Sequence, residues 1–226
     1  MSPDRSRDAE IARLATLEDP LRRRLYDLVA RSSEPVGREQ AAAVAGIGRT
    51  LAAYHLDKLV EQGLLTASYR RPEGRAGPGA GRPAKLYARA EREVAVSVPP
   101  REYELAAGLL AEAAEEDETG AARERLHEVA ERAGRLAGAA QPRSRSIEAA
   151  LRERGYEPFR DEGGVLRARN CPFHNLAAEH RDLVCGMNVA FVQGLLGGLD
   201  TTGPEVRLDP QPGRCCVTVV PRPAAR

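Results

Sequence analysis

The sequence predicts an α+β protein in three parts: residues 1–98, 99–140 and 141–226. Three observations carry that prediction. Apolar residues recur at helical spacing through 19–31, 49–62 and 103–136. Two strand-like runs, 64–71 and 83–90, flank a segment of glycine, proline and arginine. Beyond residue 140, short strand-like and helical segments alternate, and all 4 cysteines fall there.

Composition narrows the function. No apolar run approaches the ~20 residues needed to span a bilayer. The opening MSPDRSRDAE is charged and has no apolar stretch, so no secretory signal is visible and a cytoplasmic location is expected. Thiols are reduced there, and the cysteines point to metal binding or redox sensing before structural disulfides. The formal net charge is +1, but it is unevenly spread. Arg70 to Arg92 holds seven Arg/Lys against two Glu, whereas Arg101 to Arg135 holds ten acids against five bases. A basic segment in a near-neutral chain suggests a local polyanion site.

Leu21, Leu25, Leu28 and Val29 place an amphipathic helix over 19–31. GREQAAAVAG (37–46) reads as a short second helix ended by Gly46, and a tight turn leads into a third helix from about Arg49 to Gln62. Ala52, Leu56, Leu59 and Val60 form its apolar stripe, with His55 on the border. The other side carries Arg49, Thr50, Ala53, Tyr54 and Lys58, small, hydrogen-bonding and cationic groups suited to entering a major groove. Gly63 stops the helix, LLTASYRR and PAKLYARA are strands, and PEGRAGPGAGR between them is a cationic loop. Helix, helix-turn-helix and a hairpin with an Arg-rich tip is the layout of a winged helix-turn-helix. Arg75, Arg82 and Lys85 are expected against phosphates, adding salt-sensitive affinity with little sequence information. The bland alternative is a protein-interaction module with a basic loop. LAAYHLDKLVEQGLL followed by GRPAKLYARA resembles the DNA-binding half of ArsR-like winged-helix repressors.

After Pro99-Pro100, Leu105, Leu109, Leu110 and Ala113 give one helical stripe. Leu126, Val129, Ala130, Ala133 and Leu136 give another beyond the break at 117–120. Their simplest partner is the same region of a second chain, which makes a homodimer with two recognition helices about one DNA turn (~34 Å) apart. The alternative is packing within one chain.

QPRS (141–144) reads as a linker, and Ser146 as the cap of a helix over 147–154 ended by Gly155. YEPFR, DEGG and VLRAR form a hairpin, followed by a helix from about Leu183 to Leu196 and strands EVRLD and RCCVTVV. Cys171, His174 and Cys185 lie close in sequence, with Pro172 and Phe173 forming a knuckle. Cys185 is expected to begin a helix, where the dipole stabilises a thiolate. Two thiolates and an imidazole leave a tetrahedral site one ligand short, and Cys215 or Cys216 completes it. Adjacent strand residues face opposite ways, so both should not reach one ion without a bulge. His180 reads as a solvated helix residue and His127 as structural.

The order winged helix, helical linker and CPFH…LVC…GRCC resembles the SufR-type branch of ArsR-like regulators over nearly the whole length. That resemblance implies a dimeric repressor whose C-terminal cysteines hold an iron–sulfur cluster controlling DNA binding, with Cys171, Cys185 and the Cys215/Cys216 pair matching the pattern. The pattern has a further cysteine on or just after the central helix, where MNVAFVQGLLGG has none. His174 substitutes for it, or the site holds zinc; Cys₃His suits either. The expected function is therefore transcription regulation by a non-enzyme. The alternatives are a regulator with a purely structural zinc sensing another ligand, and an enzyme using Cys171 or Cys185 activated by His174 or His180.

Overall fold

The computed structural model describes residues 3–70, 83–99, 101–142, 144–201 and 203–221, and for residues 3–6 the backbone only. The protein is α+β, 54% helix and 14% strand, and divides into two compact units, Met1–Arg101 and Glu102–Arg226.

The first unit begins with α1 (Pro3–Ala15), a mostly charged segment whose helix no apolar stripe announces. A 3-10 turn leads to α2 (Pro20–Arg31), where Asp19 caps the helix by accepting the Arg22 N–H at 3.0 Å and Pro20 supplies a preset first turn. β1 (Val36–Gly37) precedes α3 (Arg38–Ala45), which Gly46 ends in the left-handed conformation (φ 67°). α4 (Arg49–Glu61) follows, then β2 (Leu65–Arg70) and β3 (Ala84–Arg89). The sheet order is β1-β3-β2, antiparallel throughout. Leu25, Val29, Val36, Leu56, Leu59 and Tyr87 form the core. The three helices and two strands lie within a residue or two of their expected places. β1 was not anticipated: two residues are too short to show a period. The hairpin tip, with Arg75 and Arg82, lies outside the described residues.

The second unit contains α5 (Tyr103–Glu115), α6 (Ala121–Ala139), α7 (Ile147–Arg152), β4 (Pro158–Arg160), β5 (Leu166–Ala168), α8 (His174–Glu179), α9 (Arg181–Gly198), β6 (Glu205–Leu208) and β7 (Val217–Val220). The sheet order is β4-β5-β7-β6, again antiparallel. Ser146 caps α7 by accepting the Ala149 N–H at 3.2 Å. α9 packs on the sheet and on α6, and is accordingly buried over much of its circumference. α8 was not expected, because its six residues show no apolar period.

The segment 99–140 was expected to stand apart as a linker; α5 and α6 instead belong to the second unit. The α6–α9 contact is made by glycines. A Cβ on Gly134 would stand 2.0 Å from the Phe191 carbonyl oxygen, on Gly138 2.4 Å from that of Leu195, on Gly194 2.0 Å from that of Glu131, and on Gly198 2.1 Å from that of Arg135. The two backbones therefore touch, and no side chain fits between them. Of the stripe expected on α6, only Ala130 is buried, because the buried face is Ala130, Gly134 and Gly138. Leu136 is 73% exposed and Val129 is exposed too. On α5, Ala111 is buried while Leu105, Leu109 and Leu110 face solvent.

Candidate functional site

In the first unit, α4 turns Ala52, Leu56 and Leu59 into the core. The opposite side presents Arg49, Thr50 and Tyr54 to solvent, with Ala53 and Lys58 partly exposed. Tyr54 is 55% exposed, its ring edge-on to His55. His55 is buried, so the border position assigned to it is corrected; Arg22 Nε donates to its Nδ1 at 3.4 Å. Arg49 pairs with Glu39 across an exposed 3.3 Å contact, and Lys58 with Glu61 at 2.6 Å. Lys85 donates to Asp57 at 2.7 Å, and Asp57 also accepts the Tyr87 hydroxyl at 2.8 Å. Lys85 thus ties the hairpin to α4. Asp57, one carboxylate serving two strand residues, was missed because a lone acid on a helix reads as a solvated charge.

The second unit gathers the four cysteines. Cys171 follows β5, Cys185 lies on α9, and Cys215 and Cys216 immediately precede β7. They form two pairs. Cys215 acts on the Cys171 thiol, and Cys216 on the Cys185 thiol. The pairs also feel each other's charge, Cys171 acting on Cys185 and Cys216 on Cys215. Cys215 is 3% exposed and Cys185 7%, while Cys171 and Cys216 are half-buried.

The surroundings set the thiols apart. The hydrogen bond from Cys215 lowers the Cys171 pKa to about 7, against the opposing effect of burial, and the Phe173 N–H of the expected knuckle adds to the lowering. Burial pushes Cys185 up to about 12, and donation to Cys216 pushes it the same way. Cys215 is raised by donating to Cys171 and by burial. Asn188, 1% exposed on α9, donates its Nδ2 to Cys215 Sγ at 3.7 Å while its Oδ1 accepts the Tyr156 hydroxyl at 2.5 Å. A buried chain of hydrogen bonds, Tyr156–Asn188–Cys215, results. The guanidiniums of Arg169 and Arg214, beside the two cysteine segments, both lie over the Phe159 ring, at 4.2 and 5.3 Å.

Two expectations, on Cys185 and His180, are corrected. Cys185 does not begin a helix: α9 starts at Arg181, so Cys185 sits a turn inside, away from the free N–H groups, and burial governs its thiol. Cys215 and Cys216 engage different partners, Cys171 and Cys185, as adjacent residues are expected to; β7 starts only at Val217, and Cys216 lies in a bend. His174 is exposed at the start of α8, and its backbone N–H donates to the Cys171 carbonyl at 3.1 Å. His180 is not solvated, since its Nδ1 lies 2.8 Å from Glu115 with its side chain mostly covered. His127 packs over Gly186, whose added Cβ would meet its Nε2 at 2.7 Å.

Among the described residues no three His, Cys, Asp or Glu side chains stand close enough together to enclose a single metal ion. The cysteines act on one another in pairs, Cys171 with Cys215 and Cys185 with Cys216, and the buried Asn188 amide lies beside Cys215. Among the described residues no helix is long and apolar enough to cross a membrane. No family profile, curated protein or solved structure matches this chain.

Proposed function

We propose that the chain is a dimeric winged helix-turn-helix transcriptional repressor whose C-terminal cysteines hold a metal or iron–sulfur centre that modulates DNA binding. The observation that carries this reading is the convergence of Cys171, Cys185, Cys215 and Cys216, from three separate segments, into two facing thiol pairs. In the first unit, α3, a tight turn, α4 and the β2–β3 hairpin follow in the order such a domain requires, and α4 keeps Arg49, Thr50 and Tyr54 uncommitted to the core.

Cys171, Cys185, Cys215 and Cys216 are the ligand set this reading assigns, with Asn188 donating to the Cys215 sulfur behind them. A centre bound there would replace the thiol–thiol hydrogen bonds with sulfur–metal bonds. Four thiolates would suit either an iron–sulfur cluster or a zinc ion, which would supply a redox-sensitive or a structural centre respectively. α9 carries Cys185 and Asn188 on its sheet side and lies backbone-to-backbone on α6, so a shift at the thiols would pass into α6. The exposed leucines of α5 and the exposed Val129 and Leu136 of α6 supply apolar surface for a second copy.

The test is binding of the full chain, loaded and stripped, to DNA sites selected from a random pool. Selection of a palindromic site and a change in affinity of about tenfold or more on stripping are expected. A chain that selects no sequence in either state would overturn the reading.

A further inference from the structure

The outward face of the C-terminal sheet carries two arginines that the proposed function does not use. Along β5, Leu166 and Ala168 are buried, so Arg167 and, one residue past the strand, Arg169 alternate onto the other face. Phe159 stands opposite Arg167 in the β4–β5 register and shares that face. The guanidinium carbon of Arg169 lies 4.2 Å from the centre of the Phe159 ring, and that of Arg214 lies 5.3 Å from it. Both cations therefore occupy one small patch over a common ring. Other arginines of the sheet are neutralised: Arg167 pairs with Asp161 and Asp209, each at 2.7 Å, and Arg207 with Glu205 at 2.7 Å. Among the described residues no carboxylate forms an ion pair with Arg169 or Arg214; Arg214 Nη1 donates to the Gln211 amide oxygen at 3.3 Å. The backbone on both sides is fixed. The Arg169 N–H donates to the Glu157 carbonyl at 3.0 Å and the Arg214 N–H to that of Gln211 at 3.3 Å. The Cys215 N–H joins the two segments by donating to the Ala168 carbonyl at 2.9 Å.

We propose that Arg169 and Arg214, mounted on Phe159, form a binding site for a phosphate group, either free orthophosphate or the phosphomonoester of a small molecule. Two guanidiniums over one ring repel each other, and an anion between them offsets that repulsion. The Phe159 ring and the fixed backbones hold the two cations ready, so little ordering is left for binding to do. A phosphate group suits the pair better than a carboxylate. It brings about two negative charges near neutral pH and three acceptor oxygens, enough to take N–H groups from both arginines. A carboxylate brings one charge and two oxygens, which a single guanidinium fork satisfies. Bound phosphate would bridge the end of β5 to the segment that leads into β7, strands already neighbours in the sheet. The site rests on neither the DNA-binding nor the metal reading, since neither arginine is assigned to either.

The experiment is calorimetric titration of the full-length protein, as isolated, with inorganic phosphate, glycerol 3-phosphate and acetate at one ionic strength. Saturable binding of phosphate is expected, with acetate at least about tenfold weaker. Binding of both phosphates makes the phosphate group itself the ligand. Binding of glycerol 3-phosphate alone assigns the site to a phosphomonoester, and binding of orthophosphate alone to the free ion. Arg169→Gln and Arg214→Gln should each weaken binding at least about tenfold. Arg214→Lys, which keeps the charge and loses the fork, should weaken it by less, and Arg207→Gln, whose arginine is already paired, should leave it unchanged. Arg214 is exposed, so its variants report on the site even where Arg169→Gln perturbs folding. Phosphate should also raise the unfolding temperature of the wild type and not that of Arg214→Gln. No saturable binding of either phosphate, acetate binding as tightly, or binding unchanged in Arg214→Gln would overturn the proposal.

Discussion

Cys185 lies on α9 and Cys216 in the bend before β7, yet Cys216 acts on the Cys185 thiol, and ligand substitutions test whether the four cysteines serve one centre. Cys171→Ser, Cys185→Ser, Cys215→Ser and Cys216→Ser are each expected to lower bound metal at least tenfold, whereas His174→Ala should leave it unchanged. Metal analysis of the purified variants checks this, and retention by Cys216→Ser would reduce the ligand set to three. On α4, Tyr54→Ala and Arg49→Ala should each cost about 1–3 kcal/mol of specific DNA affinity. Replacing both Arg75 and Arg82 should instead lower the slope of log affinity against log salt by about two. Lys85→Ala should change that slope little and destabilise the first unit, since its ammonium serves Asp57. Much of this scale was legible: cysteine scarcity and clustering pointed to Cys171, Cys185, Cys215 and Cys216, and periodicity to the exposed side of α4. What strand alternation hid was that Cys216 lies in a bend before β7.

At the scale of the elements, the α6–α9 contact governs the second unit. Gly134→Ala or Gly194→Ala puts a methyl where a carbonyl oxygen stands, and should cost at least about 1–3 kcal/mol. Thermal unfolding measures the loss, with the exposed Gly48→Ala as the control, since nothing lies within 4 Å of its added Cβ. The sequence contains these glycines at four-residue spacing, but a stripe sought among leucines passes over them, which is why α6 turned a different face inward. The β4–β5 hairpin carries a pH dependence. Arg167 and the Val165 and Gly163 N–H groups hold the Asp161 carboxyl below its ordinary range. A depressed folded pKa contributes stability above the unfolded value near 3.8 and loses it as pH falls through the folded value. Asp161→Asn should therefore lower stability at neutral pH and flatten the acid limb below about pH 4, as read by unfolding across pH.

For the whole molecule, the exposed apolar residues of α5 and α6 are the surface a second chain would cover. Leu110 is 72% exposed, and such side chains at 58–75% along one helix are costly to leave in water. The double variant Leu109→Glu, Leu136→Glu should convert the dimer to monomers in sedimentation and weaken binding to a two-half-site DNA more than to a single half-site. The α+β class and most of the element order were readable in advance. The boundary expected after residue 98 lies close to the division after Arg101, but the union of α5 and α6 with the C-terminal part was not readable, because the feature that joins α6 to it is a set of missing side chains. The central claim, that the four cysteines together hold one metal or iron–sulfur centre, meets its most direct test in protein isolated without air: a visible spectrum with iron, sulfide and zinc analysis on one sample. The account predicts a coloured protein with iron and sulfide, or one zinc per chain, lost in every one of the four Cys→Ser variants. Protein free of both metals when isolated, or a centre that persists when two of those cysteines are replaced, would contradict it.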